Sequence, residues 1–396
     1  MVDMRVLFTT TGHSGHLLPL APVAHATAGA GHAVAIAAQA SRVPVVERMG
    51  LPALPLDEAP DAAWAPLMRE LARATQRTAD RLAIADGFAR ISGGAALPGA
   101  LELMERWRPD LVVHEGYEMA GPLAAERLGI PTARVALGLA STEQWVSRLA
   151  APAVDELRRE LGLPPDCGPV RRRHTPLLSA TPPGLDDGPA HRFRTPPAPA
   201  APPLPDWWER PGDPLVYLTF GSVSGSLPLF PGLFRSALDA LASLPVRVLL
   251  TVGGDADLAA LGPLPANAHV EPWLAQDDVL SHAAAVVGHG GYGTTLGALA
   301  HGVPLVLLPL FAGDQWRNAR RVAQLGAGLL LEDGDRLAME PPGPAVMAAV
   351  PGAVERVLTE PRFRRTARRV GADIAALPPV DAAVGVLEDA VRAEAA

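Results

Sequence analysis

Short apolar runs alternate with longer helical patterns along this chain, and the alternation starts at once. Residues 4–10 read as a buried strand, 17–30 as a helix closed by Gly31, and 32–38 as a second strand. A strand–helix–strand unit of this kind needs a right-handed crossover to set its strands parallel. The pattern recurs downstream, where Pro109-Asp-Leu-Val-Val-His-Glu reads as a strand, 121–128 as a helix and 131–135 as another strand. The first half is therefore α/β with a mostly parallel sheet.

The rhythm then breaks and restarts. Between about 164 and 214 the chain fills with Pro, Arg and Gly, including the run Thr195-Pro-Pro-Ala-Pro-Ala-Ala-Pro-Pro-Leu-Pro. Such proline density sustains neither helix nor central strand and makes a stiff connector. Beyond it, 215–220 reads as a strand ending at Gly221-Ser222, and 246–252 as another. Asp277 and Asp278 read as a cap before the segment 279–286, Ala285-Val-Val-Gly runs into a glycine-rich turn and a helix, and 304–309 follows as a strand. The expected organisation is 1–205, with the connector at about 195–213, then 214–380, then a closing helix over 381–396 that packs back on the first domain. Two α/β halves put ligands at the carboxyl ends of their strands, in a cleft.

Composition narrows the chemistry. The 396 residues carry a formal charge of -8, and 19% are charged. That balance lacks the basic stripe a nucleic-acid partner requires. Lysine is absent from the sequence, so every basic residue besides histidine is Arg. This excludes a Walker phosphate loop and a Schiff-base lysine. The single Cys167 makes neither an internal disulfide nor a Cys-rich metal site. No run reaches the 18 or so apolar residues that span a bilayer, and the N-terminus is too polar for a secretory core, so the expectation is a soluble cytoplasmic protein. The Arg-rich stretches at 171–174 and 362–369 read as solvated faces.

Candidate chemistry concentrates in two places. From His289 the chain reads His-Gly-Gly-Tyr-Gly-Thr-Thr-Leu-Gly, and it continues to Phe311-Ala-Gly-Asp-Gln. A strand that enters a helix through glycines gathers free backbone N–H groups and the positive end of the helix dipole, which makes an anion seat. Gly291 and Gly293 let a phosphate approach, and His289, Thr294 and Thr295 add donors. Upstream, Trp273 can stack on a base and Gln276 can pair with its edge or with sugar hydroxyls, although Trp273 alone also fits a core position. At the N-terminus, His13 and His16 each offer an imidazole; a metal pair lacks a third ligand nearby.

The run from Trp273 to Gln315, with the opening Gly15-His-Leu-Leu-Pro, resembles family 1 glycosyltransferases, and more narrowly the actinobacterial enzymes that attach deoxysugars to secondary metabolites. The resemblance covers nearly the whole chain. It implies the GT-B fold, two Rossmann-like α/β domains facing a cleft, with acceptor bound by the first and nucleotide sugar by the second. It implies no metal and no cofactor beyond the sugar nucleotide. By that resemblance His16 is the base and Glu115 its orienting acid. Trp273 stacks on the base of the nucleotide, and Gln276 supports base or ribose. Ser222, His289, Gly291, Gly293 and Thr294 hold the diphosphate, while Asp314 and Gln315 touch the sugar. Trp64, Met68, Leu71 and Phe88 fit ordinary core packing at least as well as the acceptor-pocket lining that the resemblance implies. Two departures stand out. Gly297 replaces the Glu that many UDP-sugar enzymes use on the ribose hydroxyls, which favours a dTDP-sugar donor. Gly313 adds one residue before Asp314.

The expected function is inverting transfer of a sugar, favouring a deoxysugar, to a hydrophobic small-molecule acceptor. The alternatives are a sugar-nucleotide epimerase of GT-B type and a catalytically silent partner of another transferase. Neither nucleic acid nor a membrane is an expected partner, and the sequence is compatible with a homodimer.

Overall fold

The computed structural model describes residues 4–12, 14–165, 175–196, 212–227, 229–253, 256–334 and 336–395. His13, Cys167, the Arg run at 171–174 and most of the proline-rich connector (197–211) lie outside the described residues. The chain divides into two compact units. One comprises Met1–Thr181, Asp186–Pro196 and Leu377–Ala396; the other comprises Pro182–Leu185 and Pro197–Ala376.

Among the described residues, the first unit holds a seven-stranded parallel sheet. Its strands are β1 (Arg5–Thr9), β2 (Ala33–Gln39), β3 (Ala53–Leu56), β4 (Leu111–Glu115), β5 (Thr132–Val135), β6 (Leu177–Ser179) and β7 (His191–Arg192), in the order β3-β2-β1-β4-β5-β6-β7. Both faces are covered, which is why Val6, Leu7 and Phe8 are all fully buried in an uninterrupted apolar run. Val6 and Phe8 pack under the helix Ser14–Gly29 with Val380, Ala383 and Leu387 of the C-terminal segment. Leu7 belongs to the opposite core, built from the helices Gly94–Trp107, Ala120–Leu128 and Ala140–Glu160. The last helix, Asp381–Ala395, packs on Ser14–Gly29, and the Arg194 amide donates to the carbonyl of Pro378 just before it (2.8 Å).

The second unit repeats the plan. Its six described strands, β8 (Leu215–Thr219), β9 (Arg247–Thr251), β10 (Ala268–Glu271), β11 (Ala285–Gly288), β12 (Leu305–Leu307) and β13 (Gly328–Leu330), run parallel in the order β10-β9-β8-β11-β12-β13. In each sheet the winding direction reverses once, between β1 and β4 and between β8 and β11. A crevice opens at the carboxyl ends of strands at such a reversal, so these two points are where ligands are expected.

One local expectation changes, and one element has no counterpart in the sequence pattern. Asp277 and Asp278 are not caps: the helix is Gln276–Leu280 with Ala275 at its N-cap, and both aspartates lie in its first turn, where negative charge still suits the helix dipole. The segment 76–107 is one continuous helical run whose middle, Leu82–Gly93, is π-helical. Long π segments are rare and cluster at functional positions.

Candidate functional site

In the first unit, His16 follows β1 and Glu115 ends β4, so they flank the reversal. Nδ1 of His16 lies 3.0 Å from Oε1 of Glu115, whose side chain is fully buried. Glu115 also accepts from the amide of Tyr117 (2.6 Å) and from the amide and hydroxyl of Thr11 (each 3.3 Å). Burial pushes its carboxyl up, but the field and hydrogen bond of His16, with the Tyr117 and Thr11 amides, outweigh burial and hold it below the usual carboxylate range.

The imidazole is framed by aromatic rings. Tyr117 meets it edge-on, centroids 4.9 Å apart, and Phe88 lies 5.5 Å away on the π-helical segment. Met68 is half-exposed, while Leu71 is buried and belongs to the packing. His114 turns its Nδ1 to the Glu115 carbonyl (3.0 Å). Tyr117 carried no signal of its own in the sequence; it stands two residues beyond a strand end, where a single aromatic residue has no periodicity to reveal it.

A second carboxyl lies behind this pair. Glu118 is buried and accepts from the Thr9 hydroxyl (2.6 Å) and the Gly121 amide (2.9 Å). Burial, opposed by these hydrogen bonds and reinforced by the nearby Glu115 charge, pushes it up to about 7.

In the second unit, the expected residues gather around the other reversal. Ser222 follows β8 and His289 follows β11. The His289 ring lies between two backbones: a Cβ on Gly221 (φ +82) would come 2.8 Å from its Cε1, and a Cβ on Gly291 would strike its Nε2. Both glycines therefore make room for the ring. Burial pushes the imidazole down to about 4, against a hydrogen bond to the Thr219 backbone, so His289 is neutral near pH 7 and its buried Nδ1 has no partner among the described residues.

Gly290 takes φ +85 and packs so closely under Gln315 that a Cβ there would sit 2.7 Å from the Gln315 carbonyl oxygen. Asn318 donates to the Gly290 carbonyl (2.9 Å), which locks the turn onto the helix Gly313–Leu325. Gly291 is the N-cap of the helix Tyr292–Ala300, whose first amides face outward. Gly293 differs from its neighbours, because a Cβ there meets nothing within 4 Å.

Trp273 is 68% exposed beyond β10, which removes the core reading. Gln276 donates through Nε2 to the hydroxyl of Thr294 (2.9 Å), which ties the position expected at base or ribose to one expected at phosphate. Asp314 stands in the first turn of its helix. Gln315 is buried, and its Oε1 accepts from the amides of Leu310 (2.7 Å) and Phe311 (3.2 Å), so that oxygen is committed to holding the loop. Among the described residues no group of three or more His, Cys, Asp or Glu is arranged to hold a metal ion, and no helix is long and apolar enough to cross a membrane.

Comparison with known proteins shows the family and the fold. Residues 25–167 match the N-terminal domain, and 235–389 the C-terminal domain, of the family described as erythromycin biosynthesis protein CIII-like. The chain is 34% identical to the L-demethylnoviosyl transferase of Streptomyces niveus, over 85% of this chain and 87% of that protein. It is 30% identical to the TDP-daunosamine transferase DnrS of Streptomyces peucetius, over 97% and 96% respectively. Among solved structures, the glycosyltransferase SsfS6 of Streptomyces sp. SF2575, complexed with thymidine diphosphate, superposes with a TM-score of 0.76 at 29% identity, covering 98% of this chain and 99% of that one. The glycosyltransferase SnogD of Streptomyces nogalater gives 0.74 at 29% identity, with the same coverage.

Proposed function

This chain belongs to the erythromycin-CIII-like glycosyltransferases, and we propose that it moves a deoxysugar from a dTDP-sugar to a hydrophobic small-molecule acceptor by a single inverting displacement. The observation that carries the reading is the 3.0 Å contact between His16 and the buried Glu115. With Nδ1–H directed at a carboxylate, Nε2 is the nitrogen that takes the acceptor proton. The acceptor oxygen attacks the anomeric carbon, the bond from that carbon to the diphosphate oxygen breaks, and dTDP leaves. Glu115 stabilises the imidazolium that forms. The rings of Phe88 and Tyr117 offer a hydrophobic acceptor an apolar surface beside the base.

The leaving diphosphate is met by the amides at the start of Tyr292–Ala300 and by the hydroxyls of Thr294 and Ser222, while the neutral His289 ring, its N–H held by the Thr219 backbone, fills the space between Gly221 and Gly291. Gly291 and Gly293 allow its approach. Trp273 stacks on thymine, Gln276 supports the base or the deoxyribose, and Asp314 with the amide nitrogen of Gln315 reaches the sugar. In this reading the first unit serves the acceptor and the second the donor. Gly297 places no carboxylate at the position that the family resemblance assigns to the ribose hydroxyls, which supports deoxyribose. The TDP-linked relative and the thymidine diphosphate complex support the same donor.

A thermal-shift panel tests the donor. dTDP should raise the melting temperature more than UDP or GDP at equal concentration. A larger shift with UDP would overturn the deoxyribose argument. Incubation with dTDP-sugar alone should leave the sugar unisomerised; an epimerised product would point to epimerase chemistry instead.

A further inference from the structure

We propose that Glu118 is a positioning residue that acts through Glu115 to set how strongly His16 holds a proton. The loop after β4 carries two buried carboxyls three residues apart, and they are treated differently. Glu115 is paired with His16. Glu118 has no basic partner among the described residues and rests on the hydroxyl of Thr9 and the backbone amides of Gly121 and Ala120.

A structural role alone explains this poorly. Glu118 accepts from an amide at the start of the helix Ala120–Leu128, but a neutral Ser, Thr or Asn does that work, whereas burying an unpaired carboxylate is costly. The site is also shaped for the carboxyl. A Cβ on Gly121 would lie 2.6 Å from Glu118 Oε2 and would collide with the Thr9 side chain, so glycine at 121 leaves the space it fills.

The surroundings decide which charge responds. A small cavity of about 10 Å³ touches Glu118 together with Thr10, Thr11, Gln39, Ser92 and Tyr117, all uncharged near neutral pH. Thr11 is itself a hydrogen-bond donor to Glu115. A cavity of about 790 Å³ is lined by the buried Glu118 together with the charged or titratable His114, Glu126, Arg134, His191, Asp389 and Arg158; Arg158 is held by Glu126 and Arg134 faces Glu143. Of all these charges, the one that raises Glu118 is that of Glu115, alongside burial. The coupling is reciprocal. When Glu118 ionises, a second negative charge sits behind the pair and His16 binds its proton more tightly; when Glu118 is protonated, His16 is the weaker base.

The consequence for transfer rests on His16 being the base, but the coupling itself does not, and the test separates the two. NMR of histidine-labelled protein follows the His16 ring through pH, with its signal assigned by His16→Asn. The wild type should titrate with a second inflection near pH 7, where Glu118 ionises. In Glu118→Gln the inflection should vanish, and the His16 midpoint should fall by roughly half a pH unit or more. Superimposable curves in folded Glu118→Gln overturn the proposal. Should that variant fail to fold, Thr9→Val decides: losing the hydroxyl that favours the carboxylate should move the inflection to higher pH, and an unmoved inflection is equally fatal. A shifted His16 titration with an unchanged pH–rate profile for sugar transfer would instead contradict the base assignment and leave the coupling standing.

Discussion

Nδ1 of His16 and Oε1 of Glu115 stand 3.0 Å apart at the carboxyl ends of β1 and β4, with the carboxylate fully buried and the ring partly open to solvent. A buried carboxylate that only accepts fixes the proton on Nδ1 and leaves basicity at Nε2. Replacing His16 by Ala should lower kcat by a factor on the order of a hundred or more, with dTDP affinity nearly unchanged. Steady-state kinetics beside calorimetry would check this. Undiminished kcat would remove His16 from the chemistry.

Trp273 contributes little to folding because most of its surface is in water. Trp273→Ala should therefore shift stability by no more than about 0.5 kcal/mol. Loss of a stacking platform should weaken nucleotide binding by about 1–3 kcal/mol. Chemical denaturation and calorimetry give both numbers, and intact binding would mean that the base lies elsewhere.

Gly293 has no internal reason to be glycine, since a Cβ there meets open space and no left-handed backbone is needed. In a helix, Gly→Ala is worth up to about 1 kcal/mol of added stability. Gly293→Ala should accordingly fold at least as well as the wild type while binding dTDP more weakly, because the methyl group intrudes on the phosphates. A stabilised variant with unaltered affinity would show that no ligand approaches this position.

His289 gives a pH signature. Its folded pKa near 4 lies below the ordinary 6.5, so as pH falls through that window the unfolded chain gains a proton that the folded chain refuses. The stability lost on acidification is on the order of 3 kcal/mol if the window is fully crossed. Glu118 works in the opposite sense: its raised pKa makes the folded state hold a proton longer, so its contribution is present below the ordinary carboxylate range and fades as pH rises towards about 7. Comparing unfolding free energies at pH 7 and pH 4.5, His289→Gln should lose less stability than the wild type. An equal loss in both proteins would mean that His289 is protonated in the fold.

Much of this was legible in the residues. Buried parallel strands read as continuous apolar runs, so β1, β4, β8, β9 and β11 are visible at once, and the glycine-rich turn after β11 announces an anion seat. The resemblance added the pairing of His16 with Glu115, which spans 99 residues and which no local pattern could supply. What stayed hidden depends on tertiary context. Strands as short as β6, β7 and β13 carry too few residues for a period. The π-helical turn that brings Phe88 to His16 leaves no mark on a 3.6-residue pattern, and Asp277 and Asp278 satisfied a cap rule in a helix that begins one residue earlier. The Gln315 side chain looked free to touch a sugar, yet half of its amide holds the Leu310–Phe311 backbone.

The most direct measurement is a crystal structure of the protein with dTDP. The account predicts both phosphates against the amides that open Tyr292–Ala300, within hydrogen-bonding distance of Thr294, with thymine stacked on Trp273. A nucleotide bound with its phosphates away from that helix end would contradict it.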